Sequence, residues 1–143
     1  MSVKQISVFL ENKPGALKDM TDVLTANNID MRAFSLAETT DFGIARIIAA
    51  DVLGTMTVLK EAGYVSSLTP VIAVEIEDKP GSLNRVLQMI MEEGVNIEYM
   101  YASLGAKSGK AYMIFRVQDY KKAQAKLRGE GIRVLSQDDL QDM

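Results

Sequence analysis

The chain has 143 residues, 16 Lys plus Arg against 19 Asp plus Glu, a formal charge of −3, and no Cys, His or Trp. Without Cys or His it can build no disulfide framework, no thiolate nucleophile and no Ser-His-Asp or Cys-His constellation, and it lacks the commonest metal ligands. Only enzymes that work with Asp, Glu, Lys or Arg stay open.

The mild acidity argues against a nucleic-acid partner, whose phosphates call for clustered Lys and Arg. No apolar run approaches the roughly 20 residues of a bilayer span, and Met1 to Gln5 shows no apolar signal core. The expectation is a soluble cytoplasmic protein with no cofactor, no metal and no membrane partner.

The first predicted element is a strand over Val3 to Leu10, closed by Pro14-Gly15. Leu17, Met20, Val23 and Leu24 then recur at helical spacing, and Asn27-Asn28 ends the helix. Strands are predicted over Ile29 to Leu36 and Ile44 to Ala49, with a polar turn over Glu38 to Asp41 between them. A second helix spans about Leu53 to Ala62, and a short strand covers Tyr64 to Leu68.

After Thr69-Pro70 the order starts again. Ser7 to Leu17 reads SVFLENKPGAL and Ala73 to Leu83 reads AVEIEDKPGSL, identical at six of eleven positions at an offset of 66. Leu83, Val86, Leu87 and Ile90 mark the matching helix, which stops at Gly94. Strands over Val95 to Leu104 and Ala111 to Val117, a helix over Tyr120 to Arg128 and a strand over Ile132 to Leu135 complete the copy. With Gly43 laid on Gly109 and Ala45 on Ala111, the offset reaches 68 only at Leu59/Leu127. The extra two residues are therefore expected where the third strand of the second copy meets its second helix. Ser136 with Asp139 suggests a short capped helix in the acidic tail, Ser136 to Met143.

Strand–helix–strand–strand–helix–strand, twice, is an α+β chain of two tandem ferredoxin-like βαββαβ units. Each places its helices on one face of an antiparallel sheet. The expected domains are 1–68 and 70–143. With no flexible linker between them, the units are expected to pack on each other.

The Pro-Gly turns are the candidate sites. Pro14 and Pro80 suit the first helical position, where the missing N–H costs nothing. The N–H groups of Gly15, Ala16 and Leu17 then lack intrahelical partners and face outward with the positive end of the helix dipole. Gly15 admits close approach of a ligand. This is a socket suited to a carboxylate, and the side-chain oxygen of Asn12 or Asp78 could accept from an α-ammonium. A free amino acid offers both groups. Lys13 and Lys79 could pair with a ligand carboxylate or stay solvated.

The order of elements and the Asn/Asp-Lys-Pro-Gly-x-Leu turn resemble the ACT domain, a small-molecule-binding regulatory module. The likeness covers both halves, about 3–68 and 70–136. It includes the stretch Ser35 to Gly43 and the Leu68-Thr69-Pro70-Val71 junction, which are similar to free-standing tandem-ACT proteins. The resemblance implies an effector, usually an amino acid, held between one unit's first strand–helix loop and the other unit's second strand. One pocket would use Asn12, Lys13, Gly15, Ala16 and Leu17 with Asn96-Ile97 opposite. The other would use Asp78, Lys79, Gly81, Ser82 and Leu83 with Asp30-Met31 opposite. Asn12 against Asp78 and Ala16 against Ser82 allow a strong and a weak site, or a single occupied one. Most ACT domains are fused to an enzyme or a DNA-binding domain, for which 143 residues leave no room.

Other readings weigh less. Gly105 to Ala111 looks like a phosphate-binding loop, but it has three residues between glycines rather than four, lacks the Ser or Thr for magnesium, and lies between strands. A hairpin turn is expected there. Stacking aromatics for RNA are missing from Ile44, Arg46 and Ile48, although Tyr112 and Phe115 occur in the second copy. Met20, Met89, Met91, Met100 and Met113 are expected in the core. Tyr99 and Tyr101 share one strand face and would line an interface or the ligand pocket. The leading function is a non-enzymatic amino-acid sensor acting on a partner enzyme; the alternative is an interaction module with no ligand of its own. A homodimer is expected.

Overall fold

The computed structural model describes residues 2–38 and 41–142. Thr39 and Thr40 of the expected polar turn, and Met1 and Met143 at the ends of the expected domains, lie outside the described residues.

The chain forms two compact units, 4–69 and the remainder. In the first, β1 (Val3–Glu11) leads to α1 (Ala16–Ala26), β2 (Met31–Glu38), β3 (Phe42–Ala49), α2 (Val52–Glu61) and the start of β4 (Ser66–Glu77). β1 and β2 both pair antiparallel with β3, so that Ile6 and Phe34 each face Ile47. Phe9 N–H donates to Val65 O at 3.0 Å and Ser7 Oγ lies 3.4 Å from Thr69 Oγ1, which holds the start of β4 beside β1. The strand order is second-third-first-fourth.

The second unit repeats this order with the rest of β4, α3 (Ser82–Glu92), β5 (Ile97–Ala102), β6 (Lys110–Val117), α4 (Tyr120–Gly129) and β7 (Arg133–Val134). Its strands lie β5-β6-β4-β7, all antiparallel. The alternation of apolar residues on the first and third strands gives each sheet a face for its helices.

The cores match position by position. Ile6, Val8, Leu10, Met20, Leu24, Ile47, Ala49 and Leu59 form one. Ile72, Val74, Ile76, Val86, Ile90, Phe115, Val117 and Leu127 form the other. Each fully buried Ile, Leu or Phe side chain contributes about 1.5–3 kcal/mol. The helix ends match too. Asn28 and Gly94 adopt left-handed backbone at φ 56 and 69°, and Gly63 and Gly131 do so at φ 90 and 82°. There, Ile29 N–H bonds to Leu24 O and Tyr64 N–H to Leu59 O, closing the helix C-termini in Schellman fashion.

Four expectations change. The final strand of the first repeat and the opening strand of the second are one strand, β4, running through Thr69-Pro70 without a break. The two-residue insertion lies in the β5–β6 hairpin, not after the third strand. Glu11 faces Phe42 and Glu77 faces Lys110, so the offset is already 68 at the first paired residue. Gly43 therefore corresponds to Ala111. Met91 is 62% exposed rather than in the core, because α3 turns Val86, Met89 and Ile90 inward. Met20 and Met89 are buried, and Met100 and Met113 pack against the core as expected.

The tail turn forms as a 3₁₀ helix, Asp138–Asp142. Ser136 N–H donates to Asp139 Oδ2 at 2.7 Å, and Asp139 N–H donates to Ser136 Oγ at 3.2 Å, a reciprocal capping box. Leu140 is buried. Among the described residues no helix is long and apolar enough to cross a membrane.

Candidate functional site

Lys13-Pro14-Gly15-Ala16 is a type II turn. Ala16 N–H donates to Lys13 O at 3.3 Å, with Gly15 at φ 86°, ψ −13°. Lys79-Pro80-Gly81-Ser82 repeats it, with the same 3.3 Å bond and Gly81 at φ 89°, ψ −15°. Proline supplies the fixed φ of the second turn position and glycine the positive φ of the third. The prolines are therefore not the first helical residues, as the sequence reading placed them. The helices begin at Ala16 and Ser82, with glycine as N-cap.

The offered donors shift accordingly. Ala16 and Ser82 N–H are engaged in the turns, and the first helical bonds run from Asp19 N–H to Gly15 O (2.9 Å) and from Arg85 N–H to Gly81 O (3.0 Å). The N–H groups of Leu17 and Lys18, and of Leu83 and Asn84, fall in the first turn with no helical carbonyl before them. No side chain caps either helix. The other two helices do have caps: the Asp51 carboxylate accepts from Gly54 N–H at 2.9 Å and the Asp119 carboxylate from Lys122 N–H at 3.1 Å. A Cβ added to Gly15 or Gly81 would meet nothing within 4 Å, so both turns open to solvent.

Asn12 and Asp78 donate their backbone N–H groups to the hairpin tips, at Asp41 O (3.2 Å) and Gly109 O (2.9 Å). Lys13 Nζ lies 3.1 Å from Glu11 and Lys79 Nζ 2.8 Å from Glu77, so each lysine has a carboxylate partner two residues before it. Leu17 and Leu83 pack against the helix-facing cores. A small pocket of about 60 Å³ brings together Asn12, Lys13, Ala16 and Leu17 with Glu38 and Gly43. Of the expected opposing residues, Asp30 pairs with Arg32 at 3.2 Å and Asn96 is exposed. Met31 and Ile97 each pack on the core of their own unit.

A larger pocket adjoins each turn on the side of the last helix–strand loop, and here the repeats differ. In the first repeat it measures about 310 Å³ and includes Phe9, Lys13, Ala16, Asp19, Tyr64 and Val65. In the second it measures about 540 Å³ and includes Glu75, Lys79, Gly81, Ser82, Arg85, Lys110 and Arg133. Burial pushes the Tyr64 phenol up, and the Asp19 and Asp22 carboxylates push the same way. In the second pocket the Lys79 ammonium holds the Glu77 carboxyl below its ordinary range, first by hydrogen bond and then by charge, with Lys110 adding to it. The charged side chains lining the first pocket are Glu11, Lys13 and Asp19, an excess of acids, and those lining the second are Glu75, Glu77, Lys79, Arg85, Lys110 and Arg133, an excess of cations.

Sequence reasoning missed Glu75, Arg85, Lys110 and Arg133. One signal was available: within the eleven matched residues, Phe9 stands against Glu75. The Tyr99 and Tyr101 rings stack with centroids 6.5 Å apart, so they do share a face. Gly105 to Gly109 lie between β5 and β6, as a hairpin connection. Tyr112 and Phe115 are buried and offer no stacking platform.

The model of a family described as an ACT domain pair matches residues 1–143. No curated protein matches the chain. Protein BT0572 from Bacteroides thetaiotaomicron is similar in structure, at 36% identity over 100% of this chain and 98% of that one, with a TM-score of 0.92. The ligand-free regulatory subunit of aspartate kinase from Thermus thermophilus follows at 18% identity over 89% of each chain, with a TM-score of 0.65. The corresponding Thermus flavus subunit has 16% identity over 90% of this chain and 92% of that one, with a TM-score of 0.61. The two aspartate kinase subunits share the fold alone. The matched cores, the twice-made βαββαβ order and the family model agree: the chain belongs to the ACT domain family as an ACT domain pair, a regulatory and typically ligand-binding type of domain.

Proposed function

We propose that the protein is a non-enzymatic cytoplasmic sensor that binds a free amino acid at its Pro-Gly turns and regulates a partner enzyme. The observation that carries this reading is the pair of uncapped helix N-termini behind Gly15 and Gly81, where the other two α-helices among the described residues are capped by aspartate. A carboxylate can supply the acceptor that these first turns lack. Regulation requires that the ligand bind two arrangements of the protein with different affinity. Calorimetric titration with each of the twenty amino acids tests the reading. Binding of at least one, weakened by Gly15→Asp or Gly81→Asp, is expected; no heat from any at millimolar concentration would overturn it.

We also propose a homodimer formed through the first unit. Phe9, Phe42 and Val65 are exposed there around an apolar depression of about 630 Å³. Sedimentation should give a dimer mass, and Phe42→Lys should shift it to monomer. A monomer in the unsubstituted protein at tens of micromolar (about tenfold above a micromolar Kd) would contradict this. If ligand binding is absent but dimer and partner association persist, an interaction module without a ligand is the better account.

A further inference from the structure

The pocket beside the second Pro-Gly turn has a charge pattern that the fold does not require. Four cations line it: Lys79, Arg85, Lys110 and Arg133. Lys79 pairs with Glu77 at 2.8 Å, and Arg133 pairs with Glu75 at 2.7 Å. Neither Arg85 nor Lys110 makes an ion pair among the described residues. Arg85 sits just inside the N-terminal end of α3, where the helix dipole disfavours a cation. Asp19 holds the equivalent place in α1 and is the acidic residue of that first turn, whereas α3 has none. Arg85 and Lys110, neither of them in an ion pair, therefore line the same open space as Gly81 and Ser82 at the helix start; Glu75 and Glu77 line it too, and the charge of Lys110 reaches Glu77 without an ion pair.

We propose that this second-repeat pocket binds a small metabolite with two anionic groups, of the dicarboxylate class, and that the first-repeat pocket does not. One carboxylate lies at the start of α3, where Gly81 and Ser82 line the pocket, and the other meets Arg85 and Lys110. The volume of about 540 Å³ suits a small ligand. In the first repeat the positions of Arg85 and Lys110 are held by Asp19 and Phe42, which repel or ignore an anion. The inference rests on the reading of the turn as a carboxylate socket, and narrows it to an acidic ligand and one site per chain.

The test is calorimetry on the full chain with L-glutamate, L-aspartate, glutarate and succinate, with inorganic phosphate as a separate arm and alanine as the uncharged comparison. The expected result is one equivalent per chain for a dicarboxylate, at least about tenfold tighter than alanine. Arg85→Asp should cost about ten- to hundredfold in affinity, the range for losing a hydrogen bond between charged groups. Its melting temperature should be unchanged or raised, which separates loss of binding from loss of fold. Lys110→Gln, at a different element, should weaken binding in the same direction. Dicarboxylates no tighter than alanine, two equivalents per chain, or affinity indifferent to both substitutions would overturn the inference. Phosphate binding in preference to every dicarboxylate would overturn the ligand class. A neutral amino acid that binds regardless of Arg85 would refute the inference and leave the sensor reading standing. Glutarate binding with no amino acid bound would do the reverse.

Discussion

Four of the positions that differ between the two repeats carry the contrast in charge. Phe9, Asp19, Phe42 and Val65 in the first correspond to Glu75, Arg85, Lys110 and Arg133 in the second. The four of the second repeat line the pocket beside Gly81, Phe9, Asp19 and Val65 line its counterpart in the first, and none of the eight belongs to the matched helix-facing cores. In one repeat the surface is apolar with one acid; in the other it is charged throughout and lined mainly by cations. Core positions are constrained by volume and exclusion of water, so they match. Surface positions carry no such constraint, and they are where two copies of one fold can take different partners.

The core equivalence is the strongest part of the comparison to break. Leu59 and Leu127 occupy matching places with no exposure in either unit. Leu59→Ala and Leu127→Ala should each cost about 2–5 kcal/mol in urea unfolding. A loss below about 1 kcal/mol at either would show that its core collapses around the gap, and that the two are not packed alike.

The turns come next. Gly15→Ala and Gly81→Ala meet open space, so their whole effect is the left-handed backbone at φ 86 and 89°. About 1–2 kcal/mol of destabilisation is expected for each, seen as a shift in the urea midpoint. No shift at one turn but a clear one at the other would sharpen the asymmetry from side chains to backbone. The caps should cost a little less. Asp51→Ala and Asp119→Ala each remove the carboxylate that accepts from Gly54 or Lys122 N–H, for about 1 kcal/mol. If they cost nothing, the contrast between capped and uncapped helices loses its energetic meaning.

The smallest effect is at the tail, which has no counterpart in the first repeat. Hydrogen bonds from Ser136 hold the Asp139 carboxyl below its ordinary value of 3.8. A lowered folded value stabilises fully above the unfolded one and is lost as pH falls through the folded one. The protection of the Ser136 and Asp139 amides, relative to their intrinsic exchange rate at each pH, should therefore fall on acidification below about pH 4, the ordinary aspartate range. Asp139→Asn should weaken that dependence. Protection that stays flat from neutral pH to pH 3 would contradict the capping role.

Much of this was legible in the chain. The repeat, the element order and the plait follow from apolar periodicity, because burying one face of a strand or helix forces spacings of two and of three to four. The Pro-Gly turns were legible as the punctuation between strand and helix, but not their type II geometry, which puts glycine rather than proline at the helix start. The tail cap was visible as Ser136 followed by Asp139. Other features were not. Alignment by identity put Gly43 on Gly109, whereas hydrogen-bond register puts it on Ala111, because a hairpin loop can absorb two residues without changing which strand residues face each other. Thr69-Pro70 read as a boundary, yet the backbone passes through it as strand.

Local sequence thus determined what each stretch of chain becomes, since propensity, turn chemistry and periodicity act over a few residues. Tertiary structure decided which distant side chains share a space. Arg85 on a helix, Lys110 on a strand and Arg133 after a loop are far apart in the chain, and only folding brings them to one pocket wall. Charges so gathered act through a field that depends on distance in space, not separation along the chain. A chain of net charge −3 therefore conceals a pocket lined mainly by cations.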